Sequence, residues 1–322
     1  MDKLKSQGTD RMKPSGRLLE LEELFKAHIL SLEESNMNPR PLDLLEIYPN
    51  TESLDQLTEQ IDDLKKCLDS FRPLSPAHVA KLNEAFDTEY TYDSNRIEGN
   101  SLTLRETDLV INRGLTVGGK PMKDHLEAIN HRDALNFVRE LASNKADLNE
   151  RNLLEIHDLI LRGIDLNNAG RYRRDRVRIS GSHHIPPNPM KLSELMPAYF
   201  ADYEAQKATV HPVILAANMH QKLVSIHPFI DGNGRTARLI MNLILLREGF
   251  SIANISGERN QRNDYYNSLE KSHTEGDLSD FQSLILKTEK EALINYLNML
   301  FPDVKEGKGG YFLEKIAPIF KG

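Results

Sequence analysis

The chain has 322 residues, a formal net charge of −7, 39% hydrophobic and 28% charged residues. That length can bury a sizeable core in one large or two modest domains, and the acidic balance argues against a general nucleic-acid partner while leaving a local phosphate site open. The single cysteine, Cys67, excludes an internal disulfide or a cysteine metal cluster within one chain and fits a reducing cytoplasm.

The opening stretch MDKLKSQGTDRMKPSG has no apolar core of signal-peptide length, and no apolar run is long enough to span a bilayer. A soluble, cytoplasmic protein without a membrane partner is expected, with its first sixteen residues mobile. Apolar residues recur three and four apart in Leu18–Leu32, Leu54–Phe71, Val79–Tyr92 and Leu126–Leu141, which predicts a mostly α fold. Ser75-Pro76 has the form of an N-cap followed by proline at the first helical position, and Thr103 with Glu106 forms a capping box. Gly114, Gly163 and Gly249 are expected helix stops, and Glu306 to Gly310 is expected to be mobile.

RVRISGSHHIPP (Arg176–Pro187) departs from the helical period. Val177 and Ile179 alternate with polar neighbours, Gly181-Ser182 supplies a turn, and the chain continues through Ile185 to two prolines. This pattern predicts a small β-hairpin. An isolated hairpin is only marginally stable, so this one must pack on something or bind something. His183 and His184 are adjacent and would point apart on a strand, with no His/Cys set around them, so a metal role is not assigned to them.

The densest chemistry lies in SIHPFIDGNGRTARL (Ser225–Leu239). Upstream, Val213, Ala217, His220, Val224 and His227 share one helical face; downstream, RTARLIMNLILLRE reads as an apolar helix. Helix, tight loop, helix is the predicted arrangement. Gly232 and Gly234 permit close backbone approach, and the second helix starts with unpaired amide hydrogens and a positive dipole end. With Arg235 and Arg238 on its first turn, the loop can cradle an anion of several charges. Asp231 would repel a bare phosphate unless a hard cation such as Mg²⁺ lay between them, so a polyphosphate with Mg²⁺ satisfies these groups together. No Gly-Lys-Ser/Thr follows, so this is not a Walker A loop.

HPFIDGNGRTAR resembles the signature of the Fic family, H-P-F-x-D/E-G-N-G-R-x-x-R, at every defined position. The resemblance runs from about Tyr90 to Leu286 and includes DYYNSLEKSHTEGD (Asp264–Asp277). It implies a helical enzyme that transfers AMP from ATP to a Ser, Thr or Tyr hydroxyl of a target protein, releasing pyrophosphate. By position, His227 would be the general base and Asp231 would hold Mg²⁺ against the phosphates. Gly232, Asn233 and Gly234 would form the anion hole, Arg235 and Arg238 would bind the outer phosphates, and Phe229 would anchor the loop. Thr236 and Ala237 belong to the same nucleotide-binding stretch. Tyr265 and Tyr266 resemble positions near the adenine, as does His273, which stands where relatives tend to have Asn.

The resemblance further implies that Val177, Arg178, Ile179, Ser180, Gly181, Ser182, His183 and His184 form a flap that docks the target segment by backbone pairing. SNRIEGN (Ser94–Asn100) matches the family's inhibitory pattern S/T-x-x-x-E-G/N through Ser94, Glu98 and Gly99. Glu98 would reach Arg238 and displace the terminal phosphate, making the chain self-inhibited. The expected organisation is an N-terminal helical region at 1–92, the inhibitory and connecting helices at 93–148, the catalytic core at 149–288 and a C-terminal helix and tail at 289–322. Removal of AMP, another nucleotide donor, a homodimer and self-modification remain open within this reading. A protein-binding regulatory module would have no use for His227, Asp231 and both arginines together, and a hydrolytic metalloenzyme lacks a suitably spaced ligand set.

Overall fold

The computed structural model describes residues 51–300 and 308–316, and every α or 3₁₀ element among them is helical with no strand assigned. In chain order these are α1 (Leu54–Asp69), α2 (Pro76–Ile97), α3 (Leu104–Arg113), α4 (Met122–Ser143), α5 (Glu150–Leu161), a 3₁₀ turn (Pro189–Lys191), α6 (Leu192–Gln206), α7 (Pro212–Ile226), α8 (Asn233–Arg247), α9 (Arg259–Thr274), α10 (Ser279–Leu300) and α11 (Gly310–Ile316). The helix expected at 18–32, the first sixteen residues and residues 306–307 lie outside the described residues.

Local signals account for many of these boundaries. Proline opens α2, and Val79 N donates to Ser75 O at 3.0 Å. Thr103 and Glu106 exchange both capping-box hydrogen bonds, and Gly114 ends α3 in the left-handed region at φ 64°. Gly163 and Gly249, just past α5 and α8, also take positive φ.

Contacts divide the described residues into two compact units, one formed by 51–65 and 75–296, the other containing 66–74, 297–300 and 308–316. In the smaller unit, the Phe71 and Phe312 rings meet edge to face at 5.1 Å, and Gly309 N donates to Ser70 O. Gly309 is buried against Phe71, where a Cβ would collide with the ring, and Gly310 opens α11. The mobility expected for this stretch is therefore replaced, at Gly309 and Gly310, by a packed turn.

The larger unit is organised on α8, which packs against α7, α4, α5 and α2. Every residue from 235 to 245 is buried. A helix covered on all sides has no polar face to show, which is why its second half, LIMNLILL, is apolar but for Asn242. The loop between α7 and α8 thus sits at the start of the most thoroughly buried helix of the unit. Phe229 in that loop is 0% exposed, and burying such a ring contributes about 1.5–3 kcal/mol.

The β-hairpin predicted over 176–187 is not formed. A turn is present at Gly181, with φ 79° and Ser182 N donating to Ile179 O at 3.3 Å, but no ladder follows it. Ser182, His183 and His184 hydrogen-bond to Glu270 and Ser225 of the same unit instead, so alternation of Val177 and Ile179 does not lead to strand pairing.

Candidate active site

The site is built where α7 stops. His227 caps that helix in the left-handed region at φ 50° and ψ 59°, a conformation that costs a non-glycine residue roughly 1–2 kcal/mol. Arg173 holds it there: its Nε donates to His227 O at 2.7 Å and its backbone N to Pro228 O at 2.9 Å. Burial, chiefly, pushes the His227 imidazole down to about 4, with the Arg173 guanidinium adding to the shift. The ring is neutral near pH 7. Nδ1 lies 3.3 Å from Val224 O, so it carries the proton in that contact and Nε2 keeps its lone pair.

The turn itself is braced from two sides. Asn233 exchanges hydrogen bonds with Phe229, Oδ1 accepting from Phe229 N at 2.9 Å and Nδ2 donating to Phe229 O at 3.0 Å. His157 stacks on Phe229 at 3.6 Å between ring centroids. Gly170 N donates to His157 Nδ1 at 3.1 Å, which leaves Nε2 protonated to donate to Asp231 O at 2.9 Å. Burial drives the His157 imidazole down to about 4, so it holds this neutral tautomer. Gly232 takes φ 79° close against His157, and a side chain there would press on the ring.

Both signature arginines are buried and paired with carboxylates. Arg235, 2% exposed, donates from Nη1 to Glu127 Oε1 at 3.0 Å and from Nη2 to Asp231 Oδ1 at 3.4 Å. Its Nε is buried without a partner. Glu127 is held in turn by Asn100, whose Nδ2 donates to Oε2 at 2.9 Å. Arg238, 1% exposed, donates from Nη2 to Glu98 Oε1 at 2.7 Å and to Ser94 O at 2.8 Å, and from Nε to Ser94 Oγ at 3.0 Å. Burial works to lower the Arg238 guanidinium, but the Glu98 carboxylate and the phenols of Tyr265 and Tyr90 raise it above its ordinary value. Thr236 and Ala237 are 0% exposed, which gives their side chains packing roles in this conformation.

The motif around Ser94 therefore meets the loop, 140 residues further on. Asp93 helps to aim it: Gly257 N donates to Asp93 Oδ1 at 2.8 Å and Asn254 Nδ2 to Oδ2 at 2.6 Å. Gly99 follows Glu98 at φ 96°, a backbone setting that favours glycine and ends the helix. Glu98 Oε1 fills the space over Gly234 where a Cβ would stand. The two tyrosines of α9 also converge here. Tyr265 OH accepts from Arg238 Nη1 at 3.4 Å and lies 3.2 Å from His220 Nε2, while Tyr266 OH donates to Ile97 O at 2.9 Å. In this conformation both tyrosines support the Glu98–Arg238 pair.

Residues 176–187 are clamped beside the same loop. Arg173 Nη2 donates to Pro187 O at 2.6 Å, and His184 Nε2 to Ser225 O at 2.8 Å. Glu270 on α9 accepts from His183 N at 2.8 Å, lies 3.0 Å from His183 Nδ1 and takes the Ser182 hydroxyl. The His184 and His273 rings stack at 4.1 Å, and both His273 nitrogens are buried without a partner. Val177 and Ile179 are half-buried, whereas Arg178, Ser180 and Gly181 are exposed.

Arg173, His157, Glu127 and Glu270 were not singled out from sequence. A histidine in an apolar helix or a glutamate on a helix face carries no local signal of a partner lying 54 to 108 residues away.

Comparison with known proteins meets the same loop. Residues 147–245 match the model of the Fic/DOC family. The chain is 35% identical over 240 residues to the protein adenylyltransferase Fic of Drosophila yakuba, covering 74% of this chain and 47% of that protein. It is 36% identical over 249 residues to the protein of the same name in Culex quinquefasciatus, covering 76% and 49%. The chain thus spans about half the length of the curated relatives it matches. Fic-1 of C. elegans superposes with a TM-score of 0.69 at 28% identity, covering 88% of this chain and 84% of that one. A Fic domain containing signaling protein from Bacteroides thetaiotaomicron gives 0.63 at 28% identity, covering 79% and 97%. The matched region contains the loop from His227 to Arg238 together with α5, α7 and most of α8, and residues 147–245 of the chain form a domain of the Fic/DOC family.

Proposed function

We propose that the chain is a protein adenylyltransferase held in check by Glu98. The observation that carries this reading is the neutral His227, fixed in a left-handed cap one turn before a helix N-terminus that bears Arg235 and Arg238. A neutral imidazole with a free Nε2 suits general-base work on a hydroxyl. The amide hydrogens that open α8 and the two guanidinia suit a polyphosphate. Such chemistry asks the protein mostly for positioning and charge stabilisation.

In the proposed reaction the hydroxyl oxygen of a target Ser, Thr or Tyr forms a bond to the α-phosphorus of ATP. The bond from that phosphorus to the bridging oxygen breaks, pyrophosphate leaves, and the hydroxyl proton passes to His227 Nε2. Asp231 fits as a Mg²⁺ holder: its side chain is 52% exposed at the loop, and Mg²⁺ is commonly held by one or two carboxylates, with phosphates and water completing its shell. When bound, the ion would neutralise phosphate charge. The relatives named adenylyltransferase support AMP as the transferred group.

Glu98 would be the brake because it occupies the guanidinium that an outer phosphate would need and crowds Gly234. The test is intact-mass spectrometry of the Glu98→Gly protein after incubation with Mg²⁺ and each of several nucleotides. The expected result is addition of AMP from ATP by self-modification, reduced about 10²–10⁴-fold when His227→Ala is added. A different added mass would name another donor group, and equal labelling with and without His227 would overturn the assignment of the base.

A further inference from the structure

The segment beside His227 carries five arginines against one acid, Asp175, within residues 171–178. Arg171, Arg174, Arg176 and Arg178 are all exposed, and none has a side-chain hydrogen bond or ion pair among the described residues. Arg173, within the same run, is buried and ties the segment to His227 O and Pro187 O. Arg176 and Arg178 line a cavity of about 630 Å³ together with Val177, Ile185, Pro186 and Asn188. Ile185 at its wall is 72% exposed. The cavity thus combines apolar side chains with two free guanidinia, on a segment fixed to the C-terminal end of α7 and to Pro228 through Arg173 and His184.

We infer that this surface selects an acidic peptide. It rests on the transferase reading above and names the substrate class: a target segment with Asp or Glu flanking its acceptor hydroxyl and an apolar side chain to fill the cavity. Guanidinia pair with carboxylates through two parallel hydrogen bonds, and an extended peptide lying across this segment would present flanking carboxylates to the two arginines beside its apolar contact. Nucleic acid is the poorer occupant. The basic run is short, the net charge of the chain is −7, and Val177 and Ile185 offer a polyanion nothing.

The test measures binding without nucleotide, so that it stands apart from catalysis. Three fluorescent synthetic peptides, each with one central Thr and an apolar neighbour, carry Glu, Gln or Lys at the flanks, and their anisotropy is titrated with the full chain. The Glu peptide should bind about tenfold tighter than the Gln peptide at low salt, with the difference shrinking near 0.5 M NaCl at about a 4 Å Debye length. The Arg176→Glu/Arg178→Glu variant should reverse the order and favour the Lys peptide, a gain that misfolding would not produce. Equal binding of the three peptides, or an order untouched by charge reversal, would overturn the inference. So would a single-stranded DNA oligonucleotide that displaces the Glu peptide and binds more tightly. Loss of AMP transfer alongside intact charge selection would instead count against the enzymatic reading alone.

Discussion

Glu98 Oε1 accepts a hydrogen bond from Arg238 Nη2 at 2.7 Å while standing in the space above Gly234. One carboxylate therefore blocks two of the groups that a polyphosphate would use, the guanidinium and the close backbone approach. A hydrogen bond to a charged partner contributes about 1.5–3 kcal/mol, so nucleotide must displace a contact of that size. Calorimetric titration with ATP and Mg²⁺ should show the Glu98→Gly protein, with His227→Ala present to prevent turnover, binding about ten- to a hundredfold more tightly than His227→Ala alone. Glu98→Gln, which keeps the shape and removes the charge, should fall between. Identical affinities in all three would remove Glu98 from control of the site.

Arg173 fixes the segment over residues 176–187 through three carbonyls, those of His227, Asp175 and Pro187. Arg173→Lys keeps the charge but not the planar fork, and a single ammonium cannot span carbonyls on three sides. These part-buried hydrogen bonds come from a charged donor, each contributing about 1.5–3 kcal/mol. Hydrogen exchange at 174–187 should then accelerate at least about tenfold while exchange within α8 stays unchanged. Uniform acceleration across both regions would mean that Arg173 supports the whole unit rather than this segment.

The helix-loop-helix was legible because its signals are local. The apolar run of α8, the capping box of Thr103 and Glu106, and the positive-φ Gly114 each declare themselves within a few residues. The pairing of Glu98 with Arg238 was legible only through family resemblance, since nothing in either segment indicates a partner 140 residues away. Glu127 and His157 escaped notice for the same reason, their roles being set by packing of α4 and α5 on α8, and Arg173 because its partners lie in the distant loop after α7. Alternation at Val177 and Ile179 misled in the opposite sense. Period-two patterning reports burial of one face, and here burial comes from the rest of the unit without a pairing strand.

Glu289 on α10 is 0% exposed, and burial pushes its carboxyl up to about 8. Oε1 accepts from Ser251 N at 2.9 Å and from Ser251 Oγ at 2.7 Å, while Oε2 has no partner and is the natural seat of the proton. The folded state therefore binds a proton that the unfolded chain, with a carboxyl near its ordinary value of 4.5, releases. The stability this confers is complete below that lower value and is lost as pH rises through about 8, with a slope approaching 1.4 kcal/mol per pH unit. Urea unfolding at pH 6 and about pH 8.5 should show a loss in the wild type that Glu289→Gln largely removes. A loss of equal size in both proteins would place the pH dependence on other groups.

The His227 imidazole titrates near 4 because burial disfavours its charged form and Arg173 adds positive potential, against the opposing pull of Val224 O and Glu98. A base must be neutral to accept a proton, so activity should rise with pH through that value and be flat from about pH 6 to 8, where an ordinary histidine would still be titrating. Glu98→Gly removes the nearby negative charge, which had been favouring the imidazolium, and the acid limb should move to still lower pH. The measurement is the pH profile of single-turnover self-labelling by the Glu98→Gly protein at saturating ATP and Mg²⁺. An acid limb near 6.5 would show that the reacting imidazole is solvated, and would shift the burden of catalysis from a buried base to the arginines and the helix N-terminus.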